Sequence, residues 1–371
     1  MKYRVLCILF VFCAVSGHPG TAGGRHAKDD APADVESTEH RVRNEVVSET
    51  AVKGFLKRGT LEWDGKRVPD DISERVVVTG QRAFDSIPPG NYSGMVRLFG
   101  NYYAVVSDKT GDDGKGYFVF NIQIDPEGNV SAVRNCGWQS LKGRNEDAEA
   151  VAYNPSTKHI YIGNEEGSTI EEYGLETDSL VARASIAEYR DRGLPNKQIE
   201  SLCYDASRQC LWTINEGPLK GDNQLMLRLT QLDERLGVAK EYTYLLDAPL
   251  ADIAQPHPDN YAHGVAELLS LDDGTLLSLE REFYVPQSKL GAWVMNKVFR
   301  IHPGDQGKQF VAGWRTYFTL LDQSLANYEG MCEAPPLPDG RRVIILCADS
   351  QAGYGGVLKD WFRTIVIGKK K

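Results

Sequence analysis

Five times along the chain a polar residue, followed by a small and an apolar one, opens a run that closes on an acid: Ser93 and Asp108, Glu149 and Glu165, Glu200 and Glu216, His263 and Glu280, Glu329 and Asp349. Carboxylates gathered in one place suit a hard divalent cation. Ca2+ is the first choice because it tolerates an irregular set of about six to eight oxygen ligands, whereas Zn2+ favours His and Cys. The expected metal ligands are Glu149, Glu165, Glu200, Glu216, Glu329 and Asp349. His263, the one imidazole in the repeated set, is a candidate general acid or base near neutral pH. Asp108, Glu280 and Arg281 are candidates for positioning water and substrate, Arg281 by gripping a phosphate or carboxylate through two hydrogen bonds. The competing reading has no chemistry in it: the same acids could cap strand-end amides, or pair with Arg281 and Lys109 to hold neighbouring elements together.

The spacing says which elements must carry these residues. Opening residue and closing acid lie 15, 16, 16, 17 and 20 positions apart, with turn residues such as Asn154-Pro155-Ser156 and Asp272-Asp273-Gly274 between them. Two strands of about six residues and a tight turn fill that length, so each unit is a β-hairpin with both polar residues at one end. Successive units begin 56, 51, 63 and 66 residues apart, which leaves room for two further strands per unit. Gly116 to Ile124, Ser168 to Tyr173, Gln224 to Leu232 and Trp293 to Ile301 read as such outer strands, and Ser185 to Arg192 as a short helix. A repeat of this size predicts an all-β chain folded as a β-propeller of five or six blades, with the hairpins innermost and the acids around one mouth of the channel. The segment Val52 to Val78 could supply strands of a sixth blade or complete a blade with Trp361 to Ile367. Two like charges about 4 Å apart repel by about 4 kcal/mol at an effective dielectric near 20. Such a ring therefore needs a cation, shared protons or basic partners.

Composition excludes several classes. With 51 acidic and 42 basic residues the chain carries a net charge of -9 and offers no basic run beyond the tail Lys369 to Lys371, so nucleic acid is not an expected partner. Residues 1–16, with Lys2, Arg4, the apolar run Val5 to Val15 and small residues after it, read as a cleaved export signal. That run is too short to span a bilayer, which takes roughly twenty residues. Residues 17–50 read as a flexible polar leader and 51–371 as the folded domain, in a periplasmic or secreted protein. Five cysteines follow the signal; Cys203 and Cys210 flank a turn, but Cys203, Cys332 and Cys347 fall at small apolar positions of the repeat, where buried free thiols are expected. No G-x-S-x-G, H-E-x-x-H or phosphate-binding P-loop pattern occurs, and the run Asp108 to Asp113 lacks the glycine and glutamate of an EF-hand loop.

Asp147-Ala-Glu-Ala-Val-Ala, Ile199-Glu-Ser-Leu, His263-Gly-Val-Ala-Glu, Leu279-Glu-Arg-Glu-Phe283 and Asn327-Tyr-Glu-Gly-Met331, with Tyr102 to Asp108 as a first hairpin, together resemble the phytase-like, or "esterase-like activity of phytase", family of exported propellers. Gln198 departs from the glycine usual in that family's run. The resemblance spans roughly Ser86 to Gly368 and implies an exported propeller that hydrolyses phosphomonoesters or other esters. A bare acidic ring would repel a phosphate, so such hydrolysis requires a bound cation. The expected function is metal-dependent hydrolysis of small phosphomonoesters. A non-catalytic propeller that binds a ligand or a protein, and a calcium-dependent esterase or lactonase, are the alternatives.

Overall fold

In a computed structural model, residues 74–110, 114–251, 261–305 and 307–369 are described. The expected signal 1–16, the leader 17–50, residues 51–73 and the end of the Asp108 to Asp113 run lie outside them. Strand β1 (Glu74–Val78) comes first. Blade I follows, with β2 (Tyr92–Phe99), β3 (Tyr102–Ser107), β4 (Gly116–Ile124) and β5 (Val130–Ser140). Blade II holds β6 (Ala148–Asn154), β7 (His159–Asn164), β8 (Thr169–Gly174) and β9 (Leu180–Ser185). Blade III holds β10 (Ile199–Asp205), β11 (Cys210–Asn215), β12 (Met226–Leu232) and β13 (Val238–Leu245). Blade IV holds β14 (Tyr261–Ser270), β15 (Leu276–Tyr284), β16 (Ala292–Ile301) and β17 (Lys308–Phe318). Blade V is built from β18 (Asn327–Glu333), β19 (Arg342–Asp349) and β20 (Phe362–Lys369).

Each blade is an antiparallel four-stranded sheet, and β1 supplies the fourth strand of blade V by pairing with β20 from Glu74↔Lys369 to Val78↔Ile365. Five sheets settle the blade count at five. Among the described residues, β1 completes the last blade and no sixth is begun. The innermost strands neighbour one another in a closed cycle, β2 to β6 to β10 to β14 to β18 and back to β2. The expected outer strands are the third strands β4, β8, β12 and β16, and the expected helix is a single turn and a half at Ala187–Arg192.

Near-continuous apolar runs put buried residues on both faces of strands such as β7, β11 and β19, so each blade packs on two neighbours. The result is a separate apolar core at every blade junction: Tyr92, Phe120 and Phe362 between V and I; Val106 and Ile162 between I and II; Ile199 and Leu211 between II and III; Trp212 and Leu268 between III and IV; Leu279, Trp314 and Ile365 between IV and V. Cys203, Cys210, Cys332 and Cys347 are buried free thiols, and Cys136 is exposed.

Each inner hairpin carries a β-bulge near its mouth end, at Ser93, Glu149, Glu200, Ala266 and Glu329. A bulge turns one side chain out of the strand's alternation, and in blades II, III and V that residue is the opening acid. Right after the bulge come Gly94, Ala150, Ser201 and Gly330, but Glu267 in blade IV. Glu267 is 1% exposed and accepts from the backbone N–H groups of Leu268, of Leu202 in blade III and of Met331 in blade V. Its side chain therefore links blade IV to the inner strands of both neighbouring blades. Burial drives its carboxyl well above the ordinary range despite those donors, with the Glu329 charge adding to the rise.

Candidate functional site

Strand pairing in the hairpins fixes which residues meet at the mouth. Counting outward from the bulge, the residue facing the closing position is Asp147 opposite Glu165, Gln198 opposite Glu216, Gly264 opposite Arg281 and Asn327 opposite Asp349, while Asn91 of blade I bridges to Asp349 of blade V. In blade IV the closing position is thus held by Arg281 where sequence spacing put Glu280, and the bulge falls at Ala266 where it put His263.

Arg281 organises one half of the mouth. Nη2 donates to Glu216 Oε1 at 2.6 Å and reaches Glu200 Oε1 at 3.5 Å, while Nη1 donates to Asn327 Oδ1 at 2.8 Å and to Glu329 Oε1. One guanidinium from blade IV therefore joins acids of blades III and V, all of them buried. Asn327 Nδ2 adds a second donor to Glu329 Oε1 at 2.8 Å, and Lys197 Nζ stands 3.7 Å from Glu216 Oε2. The three acids share a single balancing guanidinium and titrate apart. Burial, then the Glu216 and Glu149 charges, raises Glu200 well above the ordinary carboxyl range. Glu329 is pushed up to about 7 by burial against the pull of Arg281. Glu216 alone is held down: Lys197 and Arg281 outweigh its burial. The Arg281 guanidinium is raised in turn by Glu329, Glu216 and Glu200, against its own burial.

The other half of the mouth has no such partner. Asp108 from blade I and Asp147 and Glu149 from blade II each bring one carboxylate oxygen to within 4.8 Å of the others. Asp108 Oδ1 is buried with no hydrogen-bond partner, and among the described residues Glu149 accepts none. Asp108 Oδ2 takes a hydrogen bond from the exposed Lys109 at 2.6 Å. The loop is set by Asn145, whose Nδ2 donates to Asp108 O at 2.8 Å while its Oδ1 accepts from Ala148 N at 3.1 Å. Between them Asp147 sits at φ 64°, a left-handed conformation that costs a non-glycine residue roughly 1–3 kcal/mol and is found most often at working sites. Burial and the Asp108 charge raise both Asp147 and, more strongly, Glu149.

Asp349 and Glu165 complete the circle. Asp349 accepts Gln351 N at 2.6 Å and is raised by burial and by Glu329 and Asp108; Glu165 accepts Gln198 N at 2.9 Å and is pushed up to about 7 by burial, with Glu216 adding to it. The expected ligand set is therefore divided: Glu200, Glu216 and Glu329 are tied to Arg281, Glu165 and Asp349 to backbone amides, and only Glu149 remains free of partners among the described residues.

Two expected site residues stand elsewhere. Glu280 lies on the opposite face of β15 from Arg281, because neighbours in a strand point to opposite sides; it accepts from Tyr244 Oη at 2.6 Å and from Lys308. His263 pairs in register with Glu282, and its neighbouring charges are Glu282, Lys297, Lys308 and Asp247, none of them from the ring. Burial, helped by the two lysines, lowers it to about 4, so its imidazole is neutral at pH 7. Asp147 is the site residue that sequence spacing missed. A signal existed: the residue two before each opening position is polar in four of the five repeats, Asn91, Asp147, Gln198 and Asn327.

Residues 87–351 match the family model described as "Phytase-like: Esterase-like activity of phytase". No curated protein matches the sequence. Among solved structures, similarity is found to the calcium-binding protein regucalcin of Agrobacterium tumefaciens, 11% identical, over 79% of this chain and 96% of that one with a TM-score of 0.41. The Cps50 (Swd1) β-propeller domain of Myceliophteria thermophila is 9% identical, over 78% of this chain and 100% of that one, with a TM-score of 0.35. The hydrazine synthase of Kuenenia stuttgartiensis is 10% identical, over 73% and 80% of the two chains, with a TM-score of 0.36.

Proposed function

Because this chain belongs to the phytase-like family, whose model covers residues 87–351, we propose that it hydrolyses small phosphomonoesters with the help of a divalent cation, Ca2+ first, at the Asp108, Asp147 and Glu149 side of the mouth. The observation that carries the reading is the trio of carboxylates with oxygens within 4.8 Å of one another, to which Asp108 also brings a buried Oδ1 with no partner. An all-oxygen, anionic donor set fits a hard cation. When bound, such a cation supplies Lewis-acid polarisation of the ester and lowers the pKa of a coordinated water. The chain's own residues do the rest. Asp108, Asp147 and Glu149 hold the cation, and Lys109 and Lys197 offer positive charge to an approaching anion. Arg281 fixes Glu200, Glu216 and Glu329; committed to three acids, it is not the phosphate clamp that its sequence position suggests. The export pattern of residues 1–16 supports a periplasmic or secreted setting for this reaction.

That commitment of Arg281 also favours a second reading, hydrolysis of carboxylic esters at the same place, since an uncharged carbonyl needs no cationic clamp. The test is release of p-nitrophenol from its phosphate and acetate esters, with Ca2+ or with EDTA, by wild type, Glu149→Gln, Asp147→Asn and Glu280→Gln. Phosphate-ester turnover that EDTA abolishes and the first two variants lose, while Glu280→Gln keeps it, is expected. Turnover of the acetate alone selects the second reading, and activity indifferent to EDTA and to Glu149→Gln overturns both.

A further inference from the structure

The junction of blades IV and V holds a partly buried cation with no acid paired to it among the described residues. Arg363 lies on the face of β20 that also carries Ile365 and Ile367, both part of the apolar core there. Its guanidinium stands over two rings, 5.1 Å from the centre of Trp314 and 5.5 Å from that of Tyr328, which meet edge to face at 5.7 Å. Nε is buried without a hydrogen-bond partner, and among the described residues Arg363 forms no ion pair. Burial pulls its pKa down, opposed by Tyr328; Arg281, more deeply buried, is driven up by three carboxylates.

The groups around it are unsatisfied as well. Trp314 pairs across the sheet with Asn296, which pairs with Arg281. The Asn296 side chain is 0% exposed, yet neither Nδ2 nor Oδ1 has a partner, and the indole Nε1 of Trp314 has none either. Buried amides and indoles are nearly always hydrogen-bonded. Three donors and one acceptor left open around a guanidinium describe the complement of a small oxyanion. An anion would satisfy the amide and the indole and pair the guanidinium at the same time.

We propose that this junction binds a small oxyanion, a phosphate or a carboxylate, gripped by Arg363 between the Trp314 and Tyr328 rings, with Trp314 Nε1 and Asn296 Nδ2 as further donors. The guanidinium fork matches either anion. Asn296 Oδ1 adds an acceptor for a ligand hydroxyl, which hydrogen phosphate has and acetate lacks. The site is separate from the mouth and needs no divalent cation.

Thermal melting and tryptophan fluorescence of the full chain, titrated with inorganic phosphate or acetate at constant ionic strength in EDTA, test it. Saturable changes are expected with phosphate, and weaker ones with acetate; equal response to both drops Asn296 Oδ1 from the site. Trp314→Phe keeps the ring and removes the donor, and loses about tenfold in apparent affinity, as for one hydrogen bond to a charged group. Arg363→Gln abolishes the response. Asn296→Asp places a carboxylate of the protein's own beside Arg363, so it melts higher than wild type and no longer responds to phosphate. Glu149→Gln responds as wild type does, whatever becomes of catalysis at the mouth. The proposal fails if neither anion has an effect at constant ionic strength, if Trp314→Phe binds unchanged, or if Asn296→Asp melts lower and still responds.

Discussion

Replacing Arg281 with methionine removes the one charge that lets three buried acids share the mouth, and keeps most of the side chain's length. In the wild type its guanidinium contacts Glu216 at 2.6 Å, Glu200 at 3.5 Å and Glu329 at closer range. Removing one partner of a buried ion pair costs about 3–5 kcal/mol. For a unit of this size, at about 2 °C per kcal/mol, the melting temperature falls by roughly 6–10 °C at neutral pH. The deficit also depends on pH, and the sign follows from the acids. Glu329 is raised from 4.5 to about 7, so the folded state holds its proton more tightly and stability falls as pH rises through that window. Without Arg281 the rise in Glu200 and Glu329 grows, and Glu216, now held down, loses one of its two cationic partners. The window then extends upward. The variant should approach the wild type near pH 5, where its acids are protonated, and fall furthest behind near pH 8 to 9. Scanning calorimetry across that range measures it, with Arg281→Met/Glu329→Gln as a control that regains part of the loss. A variant that melts like the wild type, or a deficit that does not change with pH, would refute the view that Arg281 neutralises the acids.

Divalent cation should stabilise the wild type by about 2.7 kcal/mol at a hundred times its dissociation constant, and this gain should vanish in Glu149→Gln and Asp147→Asn but persist in Glu280→Gln; melting curves with Ca2+ and EDTA decide it. Gly264→Ala should destabilise severely, by 3 kcal/mol or more on the order of an overpacked core, because the added Cβ would stand 2.1 Å from Glu216 O, a backbone atom that cannot rotate away; urea titration reads the loss.

The hairpins were legible because strands and turns alternate at blade spacing and because both polar ends must fall on one side. Closure of blade V by β1 was legible only as one of two options, since sequence shows that Glu74 to Val78 can be a strand but not which edge it meets. Blade IV misled for a definite reason. His263-Gly264-Val265 has the same polar, small and apolar order as Glu329-Gly330-Met331, but β14 is longer, and its bulge lies three residues later, at Ala266. Choosing between Glu280 and Arg281 amounts to a one-residue register decision, and one residue flips a side chain to the other face. The division of the ring into a neutralised half and a free half depends on where a single guanidinium reaches, which spacing cannot reveal.

The pairing of β1 with β20 also bears on how the chain comes to its shape. Thr79 and Thr364, hydrogen-bonded side by side, are 285 positions apart, and bringing such distant points together costs roughly 5 kcal/mol of loop entropy. Blades I to IV are each built from strands consecutive in sequence, whereas blade V is complete only when β1 pairs with β20. The circle is therefore locked where β1 meets β20, and a chain cut before β20 is expected to keep blades I to IV without closing the ring.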